Sequence, residues 1–182
     1  FPHFFSADDF ASVSVNPAPI DQCILSGAMG AFYPLRGIAA RNSDVVVMVH
    51  AGYGDTLHPR RAGVFGSAYA RELNRYRCAV TCSLVLDYAD AKYMELPAAG
   101  CLLLATHTPD LDLLGFQDGV NYVRVDASTF DARLSEVLGG PERFEPIRRG
   151  GFALVRSRHG DTHRAETLER LLRERLDTPA PP

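Results

Sequence analysis

Short, β-branched apolar runs alternating with single helical segments predict an α/β domain, and three observations carry that prediction. The run Asp44-Val45-Val46-Val47-Met48-Val49-His50 is continuously apolar through its middle, as strands buried on both faces of a parallel sheet are. Helix-like stretches separate it from the strand-like Asp21 to Gly27 before it and Cys78 to Leu84 after it, a spacing that suits parallel pairing through right-handed crossovers. The 182 residues suffice for one such domain with a sizeable core and are too few for two comfortable ones. The expected architecture is a single doubly wound parallel sheet of about five to six strands flanked by helices.

Residues 1–19 are aromatic and proline-containing and read as a lead-in or linker, with the folded domain over 20–177. After the first strand, Tyr33 to Arg41 reads as a helix, with Pro34 tolerated in its first turn. The second strand runs into a glycine-rich loop from Ala51 to Arg61. Ser67 suits the cap of a helix reaching about Tyr76, with Tyr69, Leu73 and Tyr76 at helical spacing. Cys78 to Leu84 is the third strand. Lys92 to Gly100 reads as a short helix ending at a glycine, followed at once by a buried strand over 101–106. A short helix from Pro109 to Leu114, a strand from Asn121 to Val125 and a helix capped by Ser128 complete the alternation. Charges alternate over 161–176 with Leu168, Leu171, Leu172 and Leu176 on one side, and the proline-rich 178–182 is expected to be disordered.

The formal net charge of -3 gives no basic field for nucleic acid. The longest apolar runs fall far short of a membrane span, and the first twenty residues lack the pattern of a secretory signal. A chain opening on Phe1 rather than Met is expected to be a processed or excised piece. The default is a cytoplasmic domain with no membrane span. The four cysteines, Cys23, Cys78, Cys82 and Cys101, fall in or beside predicted strands and read as buried reduced thiols rather than disulfide or metal ligands.

In a doubly wound sheet, ligands bind outside the C-terminal strand ends. The loops there are 26–36, 50–61, 84–92 and 106–119, and the residues of interest lie in or just after them. Glu95 sits mid-helix among small and apolar neighbours, so its carboxylate needs either a paired cation, Lys92 or Arg124, or a polyhydroxylated ligand. Gly52-Tyr53-Gly54 permits close backbone approach, and Tyr53 offers a ring for stacking, although most such loops are only turns. His58, Arg60 and Arg61 cluster on the same loop. The pair His159 and His163 reads as a helix start more readily than a metal site. The arginines at 148, 149, 156, 158 and 164 read as a solvated or interlobe surface.

The run from Asp87 through Gly100 resembles the donor-binding C-terminal lobe of GT-B glycosyltransferases, in their group-1-like and spore-protein-like branch. There, an acid, seven intervening positions and a glutamate lead into a small-residue helix end. Here those positions hold Asp87, Glu95 and Pro97-Ala98-Ala99-Gly100, with Asp87 where the family usually has Glu. Gly115 to Val123 is similar to the family's following Asp-Gly-x-Asn turn, and Ser26-Gly27 with Tyr33-Pro34-Leu35-Arg36 to its first strand end and helix. The likeness covers roughly 20–138.

The resemblance implies one Rossmann-like lobe that binds a nucleoside-diphosphate sugar for transfer, with retention of stereochemistry, to a glycan, lipid or protein acceptor. The acceptor lobe would lie upstream or on a separate chain. Glu95 would accept bonds from ribose hydroxyls. Asp87 would bond the donor sugar or else cap the following helix. Arg36 would neutralise the departing diphosphate or else be a surface arginine. Gly52, Tyr53, Arg60, Lys92 and Gly119 complete the expected binding set. With arginine and backbone dipoles in the cation's place, no metal or other cofactor is expected. The alternative is a non-catalytic nucleotide-binding or regulatory domain of the same fold.

Overall fold

In the computed structural model the described residues are 2–48, 64–83 and 85–176. Among them, β1 (Ile20–Leu25), β2 (Val45–Val47), β3 (Tyr76–Thr81), β4 (Leu102–Ala105) and β5 (Val123–Arg124) form one parallel sheet in the order β2-β1-β3-β4-β5. Alternate side chains divide between two apolar layers, as the two-residue strand period requires. Ile24, Ala79, Leu103 and Ala105 enter one layer; Cys23, Leu25, Cys78, Val80, Leu102, Leu104 and Val123 enter the other. The first layer is covered by α1 (Ala7–Phe10), α3 (Gly66–Asn74), α4 (Lys92–Ala98), α5 (Pro109–Leu113) and part of α7 (Pro141–Arg158). The second is covered by α2 (Pro34–Ala39), α6 (Phe130–Gly139) and the start of α7. With both faces covered, the sheet is doubly wound, as the sequence pattern predicts.

The chain leaves β1 toward β2 on one side and leaves β3 toward β4 on the other. The switch point therefore lies between the C-terminal ends of β1 and β3, where Ser26-Gly27 and Cys82-Ser83 emerge.

Helix α4 ends as its sequence predicts. Gly100 takes φ +81, its N–H bonds the Pro97 carbonyl at 2.8 Å, and the Cys101 N–H bonds the Leu96 carbonyl at 3.2 Å, a Schellman closure. Tyr93, Met94, Leu96 and Ala98 are fully buried, and each large side chain contributes about 1.5–3 kcal/mol of transfer free energy.

Several boundaries differ from the sequence expectation. Tyr76, expected at the end of a helix, opens β3 instead, because the Asn74 amide donates to the Ser14 and Ala99 carbonyls and the Ile20 N–H pairs with the Arg75 carbonyl. The N-cap position of helix α6 is Thr129, not Ser128, and just ahead of it the Asp126 carboxylate accepts from the N–H and hydroxyl groups of Ser128 and Thr129; these bonds pull its pKa down to about 2. Helix α7 has no counterpart in the sequence reading. Its start follows Gly140, and Gly150 and Gly151 allow the Val120 and Asn121 carbonyls to approach to 2.5 Å from where β-carbons would stand.

Of residues 1–19, expected as a lead-in or linker, the described part packs onto the domain. Phe5, Phe10 and Val13 are buried in the first layer. Three of the C-terminal arginines expected as a solvated or interlobe surface fasten this segment. Arg148, buried, donates to the Gly100 and Asn16 carbonyls; Arg156 donates to those of Phe10 and Val13; Arg164, also buried, reaches the His3 carbonyl. Helix α8 (Asp161–Leu176) leaves Leu168, Leu171, Leu172 and Leu176 exposed. All four cysteines are buried free thiols, and burial pushes Cys23 and Cys101 well up from the ordinary thiol range. No helix among the described residues is long and apolar enough to cross a membrane.

Candidate functional site

A cleft of about 360 Å³ opens at the switch point, floored by Gly27 and Ala28 after β1 and walled by Arg36 of α2 and by Asp90, Lys92 and Glu95 at the start of α4. His3, Tyr33 and Tyr88 complete its rim. The local sequence accounts for the arrangement. Gly27 turns the chain at φ +115, so α2 begins close to the sheet. In α4 the spacing of Lys92 and Glu95 puts both on one face while Tyr93, Met94 and Leu96 go to the core.

Arg36 is not the surface arginine of the alternative reading. It is 1% exposed, and its guanidinium donates to the Ala28 carbonyl at 3.0 Å, the Thr81 hydroxyl at 2.8 Å and the Asp90 carboxylate at 2.6 Å. Its Cζ lies 3.9 Å from the centroid of the Tyr33 ring. The Nε atom is buried without a hydrogen-bond partner among the described residues. A guanidinium held this firmly is a cation fixed in place at the cleft wall, paired with Asp90.

Glu95 is about one-fifth exposed and takes the first of its alternative partners, Lys92, at 2.5 Å, not Arg124. Tyr69 of α3 joins them. Its hydroxyl accepts from the Lys92 ammonium at 2.8 Å, lies 3.3 Å from Glu95 Oε2, and is 2.8 Å from the Ser26 hydroxyl. Burial is the main cause that lifts the Tyr69 phenol to about 12, so it stays protonated. Burial alone would depress the Lys92 ammonium, but Tyr69 and Glu95 outweigh it and hold Lys92 above its ordinary value, hence charged. The cleft thus gathers two cations and two carboxylates.

Asp87, expected at the donor sugar, is exposed at φ +56 and is not among the residues lining the cleft. The N-cap position of α4 is Ala91, not Asp87, and it is Asp90 whose carboxylate accepts from the Lys92 N–H at 2.9 Å while also holding Arg36. Gly119, at φ +73, lies in the turn before β5, and its N–H is spent on the Tyr122 carbonyl at 2.9 Å. Gly52, Tyr53, His58, Arg60 and Arg61 lie outside the described residues. His159 serves structure: its Nε2 bonds the Leu114 carbonyl at 2.8 Å and its Nδ1 meets Arg164 at 2.7 Å. No group of metal-binding side chains occurs among the described residues.

The sequence reading missed Asp90 and Tyr69 as members of the site. Asp90 carried a signal, an acid just ahead of a helix start. Tyr69 carried none, since its helical spacing with Leu73 spoke only for core.

The family model described as glycosyl transferase-like matches residues 34–170, and the chain belongs to that family. The fold also resembles solved GT-B structures. Sucrose-phosphate synthase from Thermosynechococcus elongatus superposes with a TM-score of 0.62 at 13% identity, covering 96% of this chain and 50% of that one. The GtfA/B complex gives 0.58 at 13% identity, covering 87% and 37%. At such identity the likeness concerns the fold, a Rossmann-like lobe of GT-B type, and the chain spans half or less of each neighbour's length. No curated protein matches it in sequence.

Proposed function

We propose that this chain is the donor-binding lobe of a glycosyltransferase, taking a nucleoside-diphosphate sugar into the cleft at the switch point. One observation carries the reading: Arg36, Lys92 and Glu95 converge at the C-terminal ends of β1 and β3, joining anion-binding and diol-binding chemistry in one crevice. Glu95 would accept bonds from two ribose hydroxyls, as a carboxylate's paired oxygens suit. Lys92 and the buried Arg36 would stabilise the diphosphate.

In the transfer, the bond between the sugar's anomeric carbon and the phosphate oxygen breaks and its electron pair stays on the diphosphate. The acceptor hydroxyl bonds the anomeric carbon and passes its proton to the departing diphosphate. Charge accumulates on the leaving phosphate, where preorganised cations lower the barrier most. We read the reaction as retaining and metal-independent. The acceptor, a glycan, lipid or protein, would be held by a second lobe upstream or on another chain. The buried free thiols support a reducing, cytoplasmic setting.

Thermal-shift and ligand-observed NMR titrations with UDP, GDP, ADP and their sugars test the reading. At least one nucleotide sugar is expected to bind, and Glu95→Ala to abolish that binding. Full binding by the Glu95→Ala protein sinks the reading. Nucleotide binding indifferent to the sugar favours a regulatory domain instead.

A further inference from the structure

The Lys92–Glu95 ion pair differs from the helix-surface pairs of this fold in spanning residues that both line the cleft. A carboxylate binds a vicinal diol best with both oxygens. Here Glu95 Oε2 is taken twice, by the Lys92 ammonium at 2.5 Å and by the Tyr69 hydroxyl at 3.3 Å, while Oε1 has no hydrogen bond among the described residues. A diol that engages both oxygens must therefore displace Lys92. A phosphate that engages Lys92 must likewise compete with Glu95.

We propose that the Lys92–Glu95 pair is a latch which a nucleoside diphosphate opens once for both halves of the ligand, and that Tyr69 is the positioning residue that makes the exchange local. This rests on the donor-site reading above. Lys92 can keep its bond to the Tyr69 hydroxyl, and its place 4.7 Å from the centroid of that ring, while it exchanges one acceptor, Glu95, for a phosphate oxygen. Tyr69 has a single proton to give, and both Ser26 at 2.8 Å and Glu95 at 3.3 Å lie within its reach. Glu95 Oε2 already accepts that proton, with Ser26 free to donate to the phenol oxygen, so when Lys92 leaves the bond remains and holds the carboxylate for the diol. Opening the pair costs the same whether diol or phosphate does it, so the second to arrive meets an open site. The two are coupled, and the coupling is reciprocal.

Titrations of the full chain with uridine, guanosine, adenosine and cytidine, with and without saturating inorganic pyrophosphate, test the proposal. Pyrophosphate is expected to tighten nucleoside binding at least about 5-fold, the low end of ordinary coupling, and the 2′-deoxynucleosides to show no such gain. Lys92→Met is expected to tighten nucleoside binding by a similar factor without pyrophosphate, to abolish the coupling, and to weaken pyrophosphate at least about 10-fold. Tyr69→Phe is expected to reduce the coupling while the ribose preference persists. Nucleoside binding that weakens in Lys92→Met, or wild-type binding with no coupling, overturns the latch and leaves the donor reading intact. Failure of the wild-type chain to bind nucleosides, pyrophosphate or intact nucleotide sugars overturns both. The wild-type coupling decides the matter even if a variant fails to fold, and Lys92→Gln serves as a second replacement.

Discussion

Gly27 and Arg36 share a space too small for one more carbon: a β-carbon on Gly27 would stand 2.8 Å from Arg36 Nη1 and 3.4 Å from Lys92 Cε. The glycine is required twice over, by that contact and by its φ of +115. Gly27→Ala is expected to destabilise the fold by about 1–3 kcal/mol and to displace Arg36 from the cleft. Denaturant unfolding together with pyrophosphate titration checks both effects. Unaltered stability and anion affinity would refute this account of the turn.

Asp90 neutralises a nearly inaccessible guanidinium and accepts the Lys92 N–H at the start of α4 at the same time. Asp90→Ala is expected to cost about 3–5 kcal/mol, because it leaves Arg36 buried and uncompensated. Adding Arg36→Met should restore part of that loss. A double-mutant cycle by urea unfolding measures it, and strictly additive losses would contradict the pairing.

The glycines of the helices divide sharply. Gly151→Ala places a β-carbon 2.5 Å from the Asn121 carbonyl and is expected to cost about 1–3 kcal/mol. Gly37→Ala meets nothing within 4 Å and is expected to be neutral or stabilising by up to about 1 kcal/mol. Thermal melts of the two variants should move in opposite directions.

His159 is buried and accepts a bond from Arg164 at Nδ1 while donating from Nε2 to Leu114, the pattern of a neutral ring. Burial, reinforced by Arg164 and Arg158, pushes its pKa below the usual value, against a smaller upward pull from the Leu114 carbonyl. The unfolded chain therefore binds this proton at higher pH than the folded one. Stability is expected to be full above about pH 6.5 and to fall as pH drops toward the folded value. His159→Gln should flatten that part of the pH–stability profile. A slope identical to wild type would remove His159 from the account.

Much of the fold is legible in the sequence because strand and helix periods speak locally. The apolar run through Val45–Val47 and the glycine stop at Gly100 needed no tertiary information. Helix α7 did, for Pro146, Gly150 and Gly151 all weigh against a helix, and the reason for the glycines is the neighbouring backbone of Val120 and Asn121. The site was legible in the same measure. Arg36, Lys92 and Glu95 announce themselves by charge at a sheet's C-terminal edge. Asp87 and Asp90 are three residues apart, and only the left-handed backbone at Asp87 determines that Asp90 is the one facing Arg36. Tyr69 reaches the site across a sequence gap of 26 residues to Glu95, a juxtaposition that no local pattern encodes.

The fastening of the first residues to the last helices sets an order of events in time. The Ala7 N–H bonds the Asp161 carboxylate across a separation of 154 residues, beside the bridge between Phe5 and Gly160. A closure that long gains nothing until most of the intervening chain is in place. Docking of the N-terminal segment is therefore a late step in folding, and its release an early one in unfolding. His3 belongs to that segment and to the rim of the cleft, with its carbonyl tied to Arg164. The cleft thus acquires its last wall only as the final contacts form.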